Sequence, residues 1–243
     1  MATVLITGAT SGIGRAAALS LAKAGYEVYA LGRSEVALSE LRAVQQGIVP
    51  LALELTDRDA VEAAVSGLQV DVLLNNAGIM PPVGAFADMA VSDIDSTLEV
   101  NLSAAILLTR LLVPQMRERR SGHILFTGST AGHAPSPNFS VYAATKAGLS
   151  AFAASLRAEL SPAGVRVTEI VPGRVETHLY RDTLDNETRQ AMYADGVSLQ
   201  PEDVASMIVA VLALPPAADV SRFDIVPTRP VPPIKIPSGG RPS

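Results

Sequence analysis

A chain of 243 residues with a formal net charge of −5 and a sequence pI near 5.2 is a poor match for a nucleic-acid binder, which carries a clustered basic surface. Having no cysteine, it can form no disulfide and no thiolate nucleophile or metal site, and its three histidines, His123, His133 and His178, lack metal-ligand spacing. No uninterrupted apolar run reaches the ~18 residues of a membrane span, and the N-terminus enters a strand without a basic, cleavable apolar leader, so a cytoplasmic protein with no metal, membrane or nucleic-acid partner is expected.

In chain order, Thr3 to Thr7 reads as a strand, Gly8-Ala9-Thr10-Ser11-Gly12-Ile13-Gly14 as a tight turn, and Arg15 to Ala24 as a helix. Glycines let backbone N–H groups approach a phosphate, and the helix N-terminus adds partial positive charge. The spacing Gly-x₃-Gly-x-Gly fits neither a P-loop nor the Gly-x-Gly-x-x-Gly fingerprint. A second strand, Glu27 to Leu31, ends at Gly32-Arg33-Ser34, ahead of a helix through Gln45. Where a dinucleotide fold meets the adenosine ribose, an acid selects a free 2′-hydroxyl and an arginine suits a 2′-phosphate. With Arg33 and Ser34 in place of an acid, a phosphate is the better partner.

A third strand near Val49 to Leu53 precedes a helix capped by Thr56 or Asp57 and running through Val65; a fourth, Asp71 to Leu74, ends in Asn75-Asn76-Ala77-Gly78. Strands alternating with helices at this spacing predict a parallel sheet with helices on both faces and ligands at the C-terminal strand ends. One long helix, bent at Pro114, is expected from Ser92 to Arg120, with Asn101 inside its uncharged Val100 to Thr109 stretch; a buried amide there must satisfy a backbone irregularity or hold something such as water.

The fifth strand, His123 to Phe126, ends at Thr127-Gly128-Ser129. Thr127 and Ala131 stand where a nucleophile elbow needs glycines, so Ser129 is not read as a hydrolase nucleophile. A helix to Leu160 then carries Tyr142 and Lys146, four apart on one face, where a cation favours the phenolate and makes the phenol a usable acid/base. Its uncharged Ala147 to Leu156 segment is expected to bury one face on the sheet and the other on a partner subunit. A sixth strand, Val165 to Val171, ends at Pro172-Gly173-Arg174-Val175-Glu176-Thr177; a polar lid spans about 174–200; a helix runs from Pro201 to Leu214 and a last strand from Phe223 to Val226. Residues 1–230 are read as one domain and 231–243 as a Pro/Gly-rich tail.

Thr7-Gly8-x₃-Gly12-x-Gly14, Asn75-Asn76-Ala77-Gly78, Asn101, Ser129, Tyr142-x₃-Lys146 and Pro172-Gly173, in this order over nearly the whole chain, resemble the single-domain branch of the short-chain dehydrogenase/reductase family. The resemblance implies a Rossmann-type α/β fold, a doubly wound and mostly parallel sheet with a nicotinamide dinucleotide along its C-terminal edge. It implies an oxidoreductase, such as a ketoreductase, working on a small or medium carbonyl/alcohol pair with NADP(H) rather than NAD(H), and a homotetramer or homodimer built on the helices near 92–120 and 142–160. By the same resemblance, Tyr142 is the proton donor, Ser129 hydrogen-bonds the substrate oxygen, Lys146 lowers the Tyr142 pKa and holds the ribose, and Asn101 supports a proton-relaying water. The cofactor is expected against Gly8, Thr10, Ser11, Gly12, Ile13, Gly14, Arg33, Ser34, Glu54, Leu55, Asn75, Ala77, Gly78, Tyr142, Lys146, Pro172, Gly173, Val175 and Thr177.

Two departures stand out. Glu54-Leu55 replaces the family's usual Asp-Val, which favours a backbone contact there. Phe223-Asp224-Ile225-Val226-Pro227-Thr228-Arg229-Pro230 replaces an Asp-Gly-Gly ending and resembles a branch that includes dehydrogenases of 3-hydroxy acids and serine. His133, Asn138, Phe139, Arg174, Leu179 and Tyr180 are the expected substrate pocket, with Arg174 a candidate for a substrate carboxylate. An inactive NADP-binding sensor would keep the glycine turn but have no need of Ser129, Tyr142, Lys146 and Asn101 together. Dehydration or epimerisation would use the same Tyr-Lys pair, but relatives doing that usually carry a larger C-terminal region.

Overall fold

The computed structural model describes residues 1–193, 196 and 198–229; the expected tail from 231 and three positions of the expected lid lie outside them. Seven strands, β1 (Thr3–Thr7), β2 (Glu27–Gly32), β3 (Ile48–Ala52), β4 (Val72–Asn75), β5 (Gly122–Thr127), β6 (Val165–Pro172) and β7 (Arg222–Ile225), form one sheet. Its order is β3-β2-β1-β4-β5-β6-β7 and every pair is parallel. The order reverses between β1 and β4, so the crevice beyond their C-terminal ends is the natural ligand position.

Central strands covered on both faces must be apolar throughout, and Val4, Leu5 and Ile6 are fully buried. Helices α1 (Gly12–Lys23), α2 (Glu35–Val44) and α9 (Pro201–Leu212) cover one face, packing Leu21, Leu38, Leu41 and Ile208 on Val4, Ile6, Val28 and Leu74. Helices α3 (Arg58–Val65), α5 (Ala104–Arg119) and α7 (Ser140–Leu160) cover the other, setting Val61, Leu108, Leu112 and Leu156 on Leu5, Leu73, Ile124 and Phe126. Each such leucine contributes about 2 kcal/mol by leaving water. Polar caps start two of these helices. The Ser34 hydroxyl accepts from Ala37 N at 3.2 Å and the Asp57 carboxylate from Ala60 N at 3.0 Å.

The region expected as one helix over 92–120 is interrupted elsewhere than at Pro114. It comprises α4 (Val91–Leu98), a π turn at Glu99–Ser103 and α5, with Pro114 inside α5. Asn101 is the cause, because its buried amide accepts from Ile79 N at 2.7 Å and donates to Ile79 O at 2.9 Å, fixing the widened turn. By length and composition Val91–Arg119 would reach across a membrane. In the fold Leu108, Leu112 and Met116 lie in the sheet core, as in the core helix of a globular protein. Two short helices escaped the sequence reading: α6 (Thr130–His133), directly after Ser129, and α8 (Asn186–Tyr193), within the expected lid.

Candidate active site

The ends of β1, β4 and β5 are tied together by side chains. The Thr7 hydroxyl accepts from both Asn76 N and Ala77 N at 3.0 Å, the Asn76 amide donates to Thr7 O at 3.1 Å, and Thr127 donates to Asn76 Oδ1 at 3.2 Å. This knot forces the glycine turn close. At Gly8, with φ of 66°, a Cβ would stand 2.8 Å from Ala77 Cα, and at Gly14 it would stand 2.3 Å from Gly8 O. Helix α1 therefore starts beside the strand ends. Its N-cap Ser11 makes no side-chain capping bond and its first turn carries no acid, so the first N–H groups face the cleft with their partial positive charge uncompensated.

A cleft of about 560 Å³ runs from this turn past Gly32, Arg33, Glu54 and Leu55 at one end to Ser129, Tyr142 and Lys146 at the other. Of the residues expected against the cofactor, Gly8, Thr10, Ser11, Gly12, Ile13, Ser34, Ala77, Gly78, Pro172, Gly173, Val175 and Thr177 line it as well. Gly14 and Asn75 do not. Gly14 is spent on close helix packing, and Asn75 is buried with its amide donating to Thr109 of α5 at 3.1 Å. Adjacent strand residues point to opposite faces, so Asn76 takes the cleft side that the sequence reading gave to Asn75. A second cavity, of about 720 Å³, lies between α1 and α8 against Arg15, Arg189 and Glu202. It touches neither Ser129 nor Tyr142, so the smaller cleft is the one that can support chemistry.

Within the cleft, Ser129 begins α6, its hydroxyl accepting from Ala131 N at 3.1 Å and also hydrogen-bonding Tyr142. Lys146 Nζ donates to Thr127 O at 2.7 Å and lies 5.7 Å from the centre of the Tyr142 ring. Asn101 sits behind this group rather than in the lining, its amide committed to Ile79 and 3.4 Å from Thr145 Oγ1 between Tyr142 and Lys146. That contact set makes its side chain a brace between the Ile79 backbone and α7.

The pattern of the short chain dehydrogenase family matches residues 2–188. The chain belongs to the short-chain dehydrogenase family. An uncharacterised short-chain type dehydrogenase/reductase of Sinorhizobium fredii is 47% identical to it over 225 residues, covering 92% of this chain and 90% of that one. A sulfoacetaldehyde reductase of Chromohalobacter salexigens is 37% identical, with 93% and 94% covered. Among solved structures, the closed form of serine dehydrogenase complexed with NADP+ superposes with a TM-score of 0.90 at 31% identity, covering 98% of this chain and all of that one.

For a short-chain dehydrogenase the protonation states matter, and one departs from expectation. Burial pushes the Tyr142 phenol up to about 12, with the Ser129 hydrogen bond acting weakly the other way, whereas a lowering by Lys146 was expected. Burial also brings Lys146 down to about 8, partly offset by the charge of Glu169. Tyr142 thus keeps its proton at neutral pH. At the far side Arg174, Leu179 and Tyr180 line the cleft. His133, Asn138 and Phe139 do not, and His133 instead meets Glu169 at 3.0 Å. Burial lowers the Arg174 pKa while the hydroxyls of Tyr180 and Tyr193 raise it, which sets a half-buried guanidinium among two phenols.

Proposed function

We propose that this short-chain dehydrogenase is an NADP(H)-dependent oxidoreductase that moves a hydride between the nicotinamide and a small or medium carbonyl/alcohol substrate. The observation that carries this reading is the convergence of Ser129, Tyr142 and Lys146 at one end of a cleft whose other end presents Arg33. The residues suit a dinucleotide: the open N-terminus of α1 fits its diphosphate. Lys146 suits the nicotinamide ribose, and Arg33, with its side chain 75% exposed and only a loose 3.8 Å pairing to Glu54, suits a 2′-phosphate. The NADP+-complexed serine dehydrogenase and the NADP-dependent 3-hydroxy acid dehydrogenase of Escherichia coli, 33% identical, support the same cofactor. When bound, the nicotinamide supplies or accepts the hydride.

In reduction, negative charge grows on the substrate oxygen. The Ser129 and Tyr142 hydroxyls are the donors for it, and Tyr142 then gives up its proton to form the alcohol. Lys146 stabilises the phenolate so formed, and Asn101 braces the Thr145 hydroxyl that sits between the two on α7 and itself donates to Tyr142 O. Arg174 provides a partner for an anionic group on the substrate, in keeping with relatives that act on sulfoacetaldehyde and 3-hydroxy acids. The uncharged stretches Val100 to Thr109 and Ala147 to Leu156, exposing Leu107, Ala147, Ala151 and Ala154, are the surfaces through which copies pair as dimers or tetramers.

The test is NADPH against NADH consumption over a panel of ketones, aldehydes and 3-oxo acids, with Tyr142→Phe alongside. Faster turnover with NADPH, lost by on the order of 10²-fold or more in the variant, is expected. Undiminished turnover in Tyr142→Phe would reject the assignment of the acid.

A further inference from the structure

Along β6 the residues facing α7 are Val165 and Val167, both in the apolar core, and the alternation calls for a third apolar residue at 169. The residue there is Glu169, 5% exposed; among the described residues it and Lys146 are the buried side chains of full charge. A carboxylate in such a place is costly unless it is paired. Its Oε1 meets His133 Nε2 at 3.0 Å and its Oε2 accepts from the Ser150 hydroxyl at 3.0 Å. A Cβ on Gly128 would stand 2.6 Å from Oε1, so the carboxylate lies hard against the strand end that leads into Ser129.

Its two partners belong to different parts of the site. His133 closes α6, the four-residue helix that Ser129 begins, and Ser150 lies one turn beyond Lys146 on α7. We propose that Glu169 is a positioning residue that ties the turn bearing Ser129 to the helix bearing Tyr142 and Lys146 and serves as the counter-charge of the Lys146 ammonium. The inference rests on the catalytic reading of those three residues.

The electrostatic part agrees with the sign of the Coulomb effect, since the Glu169 charge raises the Lys146 pKa against its desolvation. Few other charges intervene. His133 faces the carboxylate from α6 and Tyr142 faces Lys146 from α7. On β7, beside β6, the Arg222 guanidinium is turned to Asp224 at 2.8 Å. β5 supplies only Phe126, Thr127 and Gly128 at this level.

The experiment compares full-length wild type, Glu169→Gln and His133→Ala in NADPH-dependent reduction from about pH 6 to about pH 10, with thermal melts of each. In Glu169→Gln, kcat is expected to fall by about 10-fold to 10²-fold, the scale set by a misplaced catalytic group. The high-pH limb of kcat should also move to lower pH, because an amide no longer favours the ammonium. In His133→Ala, kcat should fall with the limb in place. A Glu169→Gln enzyme with wild-type kcat, or with reduced kcat and an unmoved limb, overturns the proposal. If Glu169→Gln gives no cooperative melt, His133→Ala decides, and wild-type kcat in that variant overturns it. A wild-type enzyme without reductase turnover rejects the catalytic reading and this inference with it; an active wild type beside an unaffected Glu169→Gln rejects the inference alone.

Discussion

His123 lies on β5, 2% exposed, far from the cleft end of that strand. Its Nε2 is 2.8 Å from Thr168 Oγ1, and the Thr168 hydroxyl donates to Val220 O at 2.6 Å. With the Thr168 proton committed to Val220, the imidazole must donate through Nε2, leaving Nδ1 as the unprotonated nitrogen; Nδ1 is buried and has no partner among the described residues. A second proton would enter at Nδ1 facing no acceptor. Burial, helped by the Arg166 charge, accordingly lowers the pKa from 6.5 to about 3. Because the folded value lies below the unfolded one, the contribution to stability is complete above pH 6.5 and is lost as pH falls toward 3. Its full size is about 5 kcal/mol, of which about 3 kcal/mol is gone by pH ~4. Urea unfolding of wild type and His123→Gln at several pH values isolates it, since the carboxylates common to both cancel in the difference. The wild-type advantage should shrink steadily between pH ~6.5 and pH ~4. A flat difference, or an NMR titration of His123 near 6.5, would refute the reasoning.

Arg33→Ala should weaken NADPH much more than NADH in fluorescence titrations; an equal loss for both would mean that Arg33 does not read the phosphate. Arg174→Ala should raise KM for anionic substrates by about 10-fold or more while leaving neutral ones little changed, the scale of a lost charged hydrogen bond; unchanged KM for both removes Arg174 from recognition. Asn101→Leu strands the N–H and C=O of Ile79, each costing about 1–3 kcal/mol, and urea midpoints equal to wild type would show that the π turn does not depend on the amide.

The strand and helix pattern was legible because each buried strand is a short apolar run and each turn carries its own glycine, asparagine or cap. The cleft followed from the same turns, since parallel strands bring all their C-terminal ends to one edge. The features that stayed hidden depend on burial and on neighbours distant in sequence. Asn75 and Asn76 are chemically alike, and only the alternation of β4 tells which faces α5; applied strictly, it would have found Asn76. The upward shift of Tyr142 comes from desolvation by surrounding elements, which no i, i+4 spacing reveals. Glu169 was readable as a break in the Val165, Val167 alternation, but its partners His133 and Ser150 lie 36 and 19 residues away.

The π turn at Glu99–Ser103 fits one residue more than a regular α-turn into about the same rotation. Four α-helical residues at about 100° each already complete that turn, so deleting a single residue there would restore a regular α-turn and leave α5 nearly in phase, with Leu108, Leu112 and Met116 still on the sheet. The extra residue therefore does not serve the core register of α5. It serves the reach of the Asn101 amide to the Ile79 backbone, which is the contact such a deletion would remove.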